Sequence, residues 1–203
     1  MKNNKIAIFK YFIEFLIVAF GVFLGTYISG IQSDKKLNKE KVRAMNFIIE
    51  ELQTNLENIR KAAKYHHSLA PVIDSIRESV SEKNAMQLYI GNKNFQHNKI
   101  PGWKGINLPE LDHTAFESAR LSGILTEFDI ETIRTISRIY NWMDIYSDFG
   151  NKVLNKMIDT DSQTKVIDVL IILDVMTKDI VQFEDSLEKG LTDTITELEK
   201  TRN

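Results

Sequence analysis

A single continuous apolar run, Tyr11 to Ile31, limits this chain more than any other feature; only Glu14 and small or hydroxyl residues interrupt it. About 20 apolar residues rising ~1.5 Å each span the hydrocarbon core of a bilayer. The next most apolar stretch, Val166 to Met176, is broken by Asp168 and Asp174, and unpaired carboxylates are costly against lipid. The expectation is a basic tail at 1–10, one transmembrane helix at 11–31 and an extramembrane domain at 32–203. The rival reading is a cleaved signal peptide, because Lys2, Lys5 and Lys10 form a basic n-region and small residues lie near Ser29-Gly30. The run exceeds a usual h-region and no A-x-A site follows it, which favours a retained signal-anchor.

Two features lie within the run. Lys10 and Glu14 are spaced i, i+4 at its start and read as an interfacial anchor, with an intramembrane relay as the weaker alternative. Gly21, Gly25 and Ser29 recur every fourth residue, the spacing that lets two membrane helices pack backbone to backbone. Glycine is also simply more frequent in membrane helices. Orientation is contested. Lys35, Lys36, Lys39, Lys41 and Arg43 follow the run, and the positive-inside count favours a cytoplasmic domain. The signal-like start places the N-terminus in the cytoplasm and the domain outside, in the periplasm where there is one. The second reading is carried forward.

Composition narrows the rest. With 26 basic and 28 acidic side chains, no global field points to nucleic acid. Zero Cys removes disulfides, zinc ribbons and a cysteine nucleophile. Nine Gly and three Pro against 43% hydrophobic residues argue for a packed helical chain rather than a loop-rich sandwich.

The segment Phe9-Lys10-Tyr11-Phe12-Ile13-Glu14-Phe15-Leu16-Ile17-Val18, with Gly21-Val22-Phe23-Leu24-Gly25, resembles the N-terminus of an uncharacterised bacterial family of small single-pass membrane proteins. The resemblance covers about the first 45 residues, and Ser122-Gly123-Ile124-Leu125 echoes it later. Ile31-Gln32-Ser33-Asp34-Lys35 replaces that family's usual Asn-Asn-Trp-Asn. The resemblance implies an anchor and a helical extramembrane domain, and no catalysis.

Beyond residue 31 the pattern is helical. Met45, Ile49, Leu52, Leu56, Ile59 and Ala63 are spaced 4-3-4-3-4, the seam of a bundle helix. Glu50, Glu51 and Glu57 lie off that seam and read as solvated. Pro71 predicts the start of a second helix. Residues 86–111 read as a long ordered loop with a small hairpin, packed over the end of the bundle. Thr114 and Glu117 have capping-box spacing, and Gly123 supplies a stop. A long helix then carries Ile130, Ile133, Ile136, Tyr140 and Met143, and a last one carries Val166, Val169, Leu173, Met176, Ile180, Phe183 and Leu187. The fold class expected is all-α: one transmembrane helix, then an antiparallel helical bundle with one long loop. The acidic last helix, Glu184 among its charges, either faces basic residues 35–43 or is independently solvated.

Catalytic signatures are sparse. His66 and His67 are adjacent, not i, i+4, so they do not form a helical zinc pair. Glu110, Asp112 and His113 cluster loosely, and a membrane-bound hydrolase built on them is the least favoured reading. No cofactor or metal motif appears. Trp103 is a loop aromatic that either seals the core or anchors a partner. The functional expectation is a non-enzymatic membrane-anchored scaffold or sensor with an unknown protein partner and the lipid bilayer as its setting. The alternative is a self-associating membrane effector, a homo-oligomer in a stress or defence response.

Overall fold

The computed structural model describes the backbone of residues 2–202 and the side chains of residues 13–201. Among these the chain is all-α, with no strand; the one extended pairing is an isolated antiparallel bridge between Leu88 and Lys165. Helix α1 (Lys2–Ser79) is followed by α2 (Glu82–Ala85), α3 (Thr114–Leu121), α4 (Ile130–Ile158), α5 (Val166–Val175) and α6 (Val181–Arg202).

Helix α1 is one rod of 78 residues, about 115 Å long at ~1.5 Å per residue. It contains a segment long and apolar enough to cross a membrane, none of it buried. Burial begins at Met45. The predicted seam is inside, with Met45, Ile49, Leu52, Leu56, Ile59 and Ala63 all buried. The predicted new start at Pro71 is overturned, since Pro71 lies within α1. The ring removes one N–H that would bond His67 O, but Pro71 and His67 are both exposed. Water can satisfy that carbonyl, while buried Leu69 and Ile73 on either side hold the helix on the core.

Helix α6 runs antiparallel to α1: Gln53 pairs with Glu199, Arg60 with Glu188 and His67 with Asp185. Among the described residues no ion pair joins the basic segment 35–43 to α6. Lys36 bridges to Glu40, and Lys41 and Arg43 lie over Phe128 and Phe47. Helix α4 runs parallel to α1, and α3 antiparallel to it. Helices α5 and α6 join through a π-helical turn, Met176–Ile180, which adds a residue to one turn and shifts the inward face. Expected core residue Phe183 is therefore only half-buried, and Glu184 is inside.

The long connection is ordered, though no hairpin forms. Its residues near Leu88 pair instead with the start of α5, through Tyr89 N–H to Thr164 O and Val166 N–H to Gln87 O. Phe95, Ile100 and Ile106 are buried. Tyr65 Oη accepts the Lys104 N–H at 2.8 Å and donates to Gly105 O at 2.7 Å, where a φ of +91° requires glycine.

Candidate functional site

The most chemically loaded part of the domain is a pair of buried carboxylate clusters along the inner face of α1. Both join α1 to α4; one also ties in α3, the other α6 and the long loop.

Glu51 is the centre of the first. Its Oε2 accepts the Ala115 N–H at 2.6 Å, its Oε1 the Phe116 N–H at 3.3 Å, and Tyr140 donates its hydroxyl to Oε1 at 2.5 Å. A carboxylate from a different helix thus satisfies two free N–H groups of the α3 N-terminus, where negative charge is favourable. One turn along, fully buried Asn55 donates to Asp112 O and accepts the Asp112 N–H, both at 2.8 Å. Phe116 stacks on Tyr140 with ring centroids 4.3 Å apart. Burial first, and the Glu51 carboxylate second, push the Tyr140 phenol far above its ordinary range.

The capping box expected from Thr114 and Glu117 does not form. Thr114 donates its N–H and hydroxyl to Asp112, and Glu117 pairs with Arg120. These hydrogen bonds hold the Asp112 carboxyl below its usual value. Glu51, reaching across the domain, does the rest of the capping.

The second cluster is His66, Glu184 and Tyr146. His66 and Glu184 are 0% exposed. His66 Nδ1 lies 2.9 Å from both Glu184 oxygens, and Tyr146 donates to Oε1 at 2.7 Å. His66 Nε2 lies 2.7 Å from Ile106 O. A carbonyl only accepts, so Nε2 carries a hydrogen and points it at the loop. Nδ1, the other ring nitrogen, faces both oxygens of the Glu184 carboxyl. Burial, then the Glu184 charge, raises the Tyr146 phenol well above its normal range. A His–carboxylate pair resembles half of a nucleophile-activating dyad, but here the outer nitrogen is taken by the backbone, leaving no base for a substrate. The arrangement fastens the loop to the core.

The other residues singled out from sequence fall elsewhere. Glu110, Asp112 and His113 do not converge. Asp112 is committed to Thr114, and His113 Nδ1 donates to Leu111 O. His113 Nε2 is 3.1 Å from Asp144 Oδ1, although not in hydrogen-bonding direction. No group of three His, Cys, Asp or Glu side chains suited to a metal forms among the described residues. Trp103 is half-buried and meets His97 edge-on at 5.3 Å; the Tyr89 hydroxyl in turn shares a hydrogen bond with His97 Nδ1. The Lys10 side chain lies outside the described residues, and Glu14 is exposed on α1. Gly21, Gly25 and Ser29 are exposed, and a Cβ added at either glycine would meet nothing within 4 Å.

Sequence reasoning missed Glu51, His66 and Glu184. Two were within reach. Adding three to Ala63 in the seam lands on His66, and adding four to Ile180 lands on Glu184. Glu51 gave no such signal.

Several grooves open on the surface. One, about 1140 Å³, lies between α1 and α3; another, about 840 Å³, lies between α4 and α6 and includes Trp142, Ile145, Phe149 and Phe183.

No family model, curated protein or solved structure matches this chain.

Proposed function

We propose that this is a non-enzymatic, single-pass membrane protein whose residues 11–31 cross the bilayer and whose helical bundle, 32–203, works as a scaffold or sensor through protein contacts. The observation that carries this reading is the continuity of α1. One helix bears both the bare apolar segment and the buried seam. A core helix of a water-soluble protein hides its most apolar stretch, whereas this one leaves it wholly uncovered and buries a different stretch. The clusters around Glu51 and Glu184 support a structural rather than a catalytic role, because their donors and acceptors are already engaged. The α4–α6 groove, lined by Trp142, Ile145, Phe149 and Phe183 together with Asp148, Lys152 and Asp179, has the make-up of a protein-contact surface. Alkaline extraction of membranes and C-terminal reporter fusions test the reading. The chain should stay in the pellet and an export reporter should be active. Release into the soluble fraction removes the anchor, and an active cytoplasmic reporter reverses the orientation.

A second reading, a self-associating membrane effector, draws on helical phase. At ~100° per residue, the stripe Gly21-Gly25-Ser29 lies roughly 150° around α1 from the seam Met45-Ile49-Leu52-Leu56. Two copies meeting through that stripe would carry their domains on opposite outer sides, without collision.

A further inference from the structure

We propose that the end of the helical domain nearest the span rests on the bilayer surface, with Leu121 and Ile130 inserted among the lipid headgroups. The proposal rests on the reading of 11–31 as a membrane span.

Leu121 and Ile130 are 81% and 79% exposed, more than any other large hydrophobic side chain among the described residues, including Phe15 of the apolar segment at 67%. Leu121 ends α3 and Ile130 begins α4, on either side of the 3-10 turn Ile124–Glu127. The sequence pattern places Ile130 on the core-facing stripe of its helix, yet the fold leaves it bare. Such exposure is ordinary for one residue and unusual for two on the same edge.

The position of that edge identifies its occupant. Helix α3 starts beside Glu51 and runs back along α1 toward the span. The turn that follows reaches Lys41, whose ammonium lies 5.4 Å from the Phe128 ring. Phe128 and Asp129 line a cleft with Asn38, Lys41 and Val42. This edge is therefore level with residues 38–42 of α1. From Ile31 to Lys41 the helix rises ~15 Å, and headgroups occupy about 5–7 Å outside each face of the hydrocarbon. The remaining gap of ~8–10 Å is closed by a lean towards the upper end of the range for membrane helices, ~40°, because an edge ~10 Å off the helix axis drops by only ~3–4 Å at the average lean of ~20°. A lean toward the face carrying Met45 and Ile49 lowers the edge into the headgroups; a lean the other way lifts it into water. Basic residues 35, 36, 39, 41 and 43 outnumber Asp34 and Glu40 on the intervening turns, and they attract anionic lipid. Acidic groups at this edge oppose the attraction: Asp129, which stays charged while accepting from Thr132, and exposed Glu127, with Glu197 and Glu199 near the end of α6, whose Thr201 lines the same cleft; Glu131 pairs with Arg134.

The chain contains no Cys, so single cysteines can carry spin labels without background. Full-length protein with labels at Leu121, Ile130, Phe20, Ile158 or Ile171 is reconstituted in vesicles of zwitterionic lipid with and without an anionic lipid. Collision with oxygen, which partitions into lipid, is compared with collision with a water-soluble nickel chelate. Phe20 should be strongly oxygen-rich, Ile158 and Ile171 water-like, and Leu121 and Ile130 clearly between them, more so with anionic lipid. Leu121 and Ile130 labels indistinguishable from Ile158 and Ile171, with Phe20 in lipid, overturn the docking while keeping the span. A water-like Phe20 label overturns both. As a second measurement with native-like side chains elsewhere, Leu121→Ser with Ile130→Ser should expose Lys41 to rapid acylation by a water-soluble reagent. An unchanged rate counts against the proposal.

Discussion

Glu184 and His66, 118 positions apart, face each other at 2.9 Å with neither side chain exposed to water. Removing Glu184 leaves His66 Nδ1 and the Tyr146 hydroxyl without the partner they share in the core. Glu184→Ala should destabilise the domain by about 3–5 kcal/mol. The double variant His66→Leu, Glu184→Met should cost less than the single one, because the imidazole leaves with the carboxylate and Leu and Met refill the space, so that only the Tyr146 hydroxyl and the Ile106 carbonyl lose partners. Thermal unfolding of the full chain in detergent, followed by circular dichroism, measures both. A double variant worse than Glu184→Ala refutes this account of the pair.

Glu51 holds α3 by its N-terminus, so Glu51→Ala should free the Ala115 and Phe116 amides and cost about 1–3 kcal/mol. Hydrogen exchange localises the effect. Protection should fall across α3 and remain along α1 beyond Ile59; a uniform change would mean general loosening instead.

Acid should weaken the fold in two stages. Burial lowers the His97 pKa below its ordinary value, so the unfolded chain takes up that proton first as pH falls below ~6.5. Stability is then lost until the folded ring also protonates. Asp112, Asp129 and Asp161 are held low by hydrogen bonds, from Thr114, Thr132 and Gln163 respectively. Their contribution is complete above ~3.9 and is lost as pH drops through the folded values. Replacing His97 with Gln should flatten the first stage and leave the second. Urea midpoints at half-unit pH steps provide the readout.

Association through the span is tested at Gly25. A Cβ there meets nothing within the chain, so Gly25→Leu should leave the monomer intact. It should weaken self-association by about 1–3 kcal/mol, the cost of overpacking a close backbone contact. Leu24→Ile, one residue around the helix, should change little. Cross-linking in membranes compares the three forms, and equal yields would assign any oligomer to the extramembrane helices.

The helices were legible wherever local periodicity alone decided the outcome. The seam from Met45 to Ala63 is buried as its spacing requires, Gly123 takes the left-handed conformation of a stop at φ +77°, and Asp129 caps α4. Legibility failed where distant segments compete with local signals. Thr114 and Glu117 have the right spacing for a capping box, but Asp112 and Glu51 take the N–H groups, and nothing near Thr114 announces a carboxylate 63 positions earlier. Glu184 reads as one acid among many on α6, although it falls four residues after buried Ile180 and three before buried Leu187. Pro71 is a local signal for the start of a new helix, overruled by buried neighbours. The tight passage of the loop at Gly150, where an added Cβ would lie 2.8 Å from Leu108, is likewise set by a tertiary contact that no pattern in α4 encodes.

Because α1 has no hinge, the domain is not a float on a string. From Ile31 to Ile73 the rod rises ~63 Å, so with the apolar segment held in a bilayer each 10° of lean would carry the far end sideways by about 11 Å. Lipid thickness sets how far a span of fixed length must tilt, and the distal loops are swept through a corresponding arc. With the span seated in a membrane, a change of a few ångströms in thickness is magnified into a displacement large enough to bring a neighbouring protein into reach or take it out.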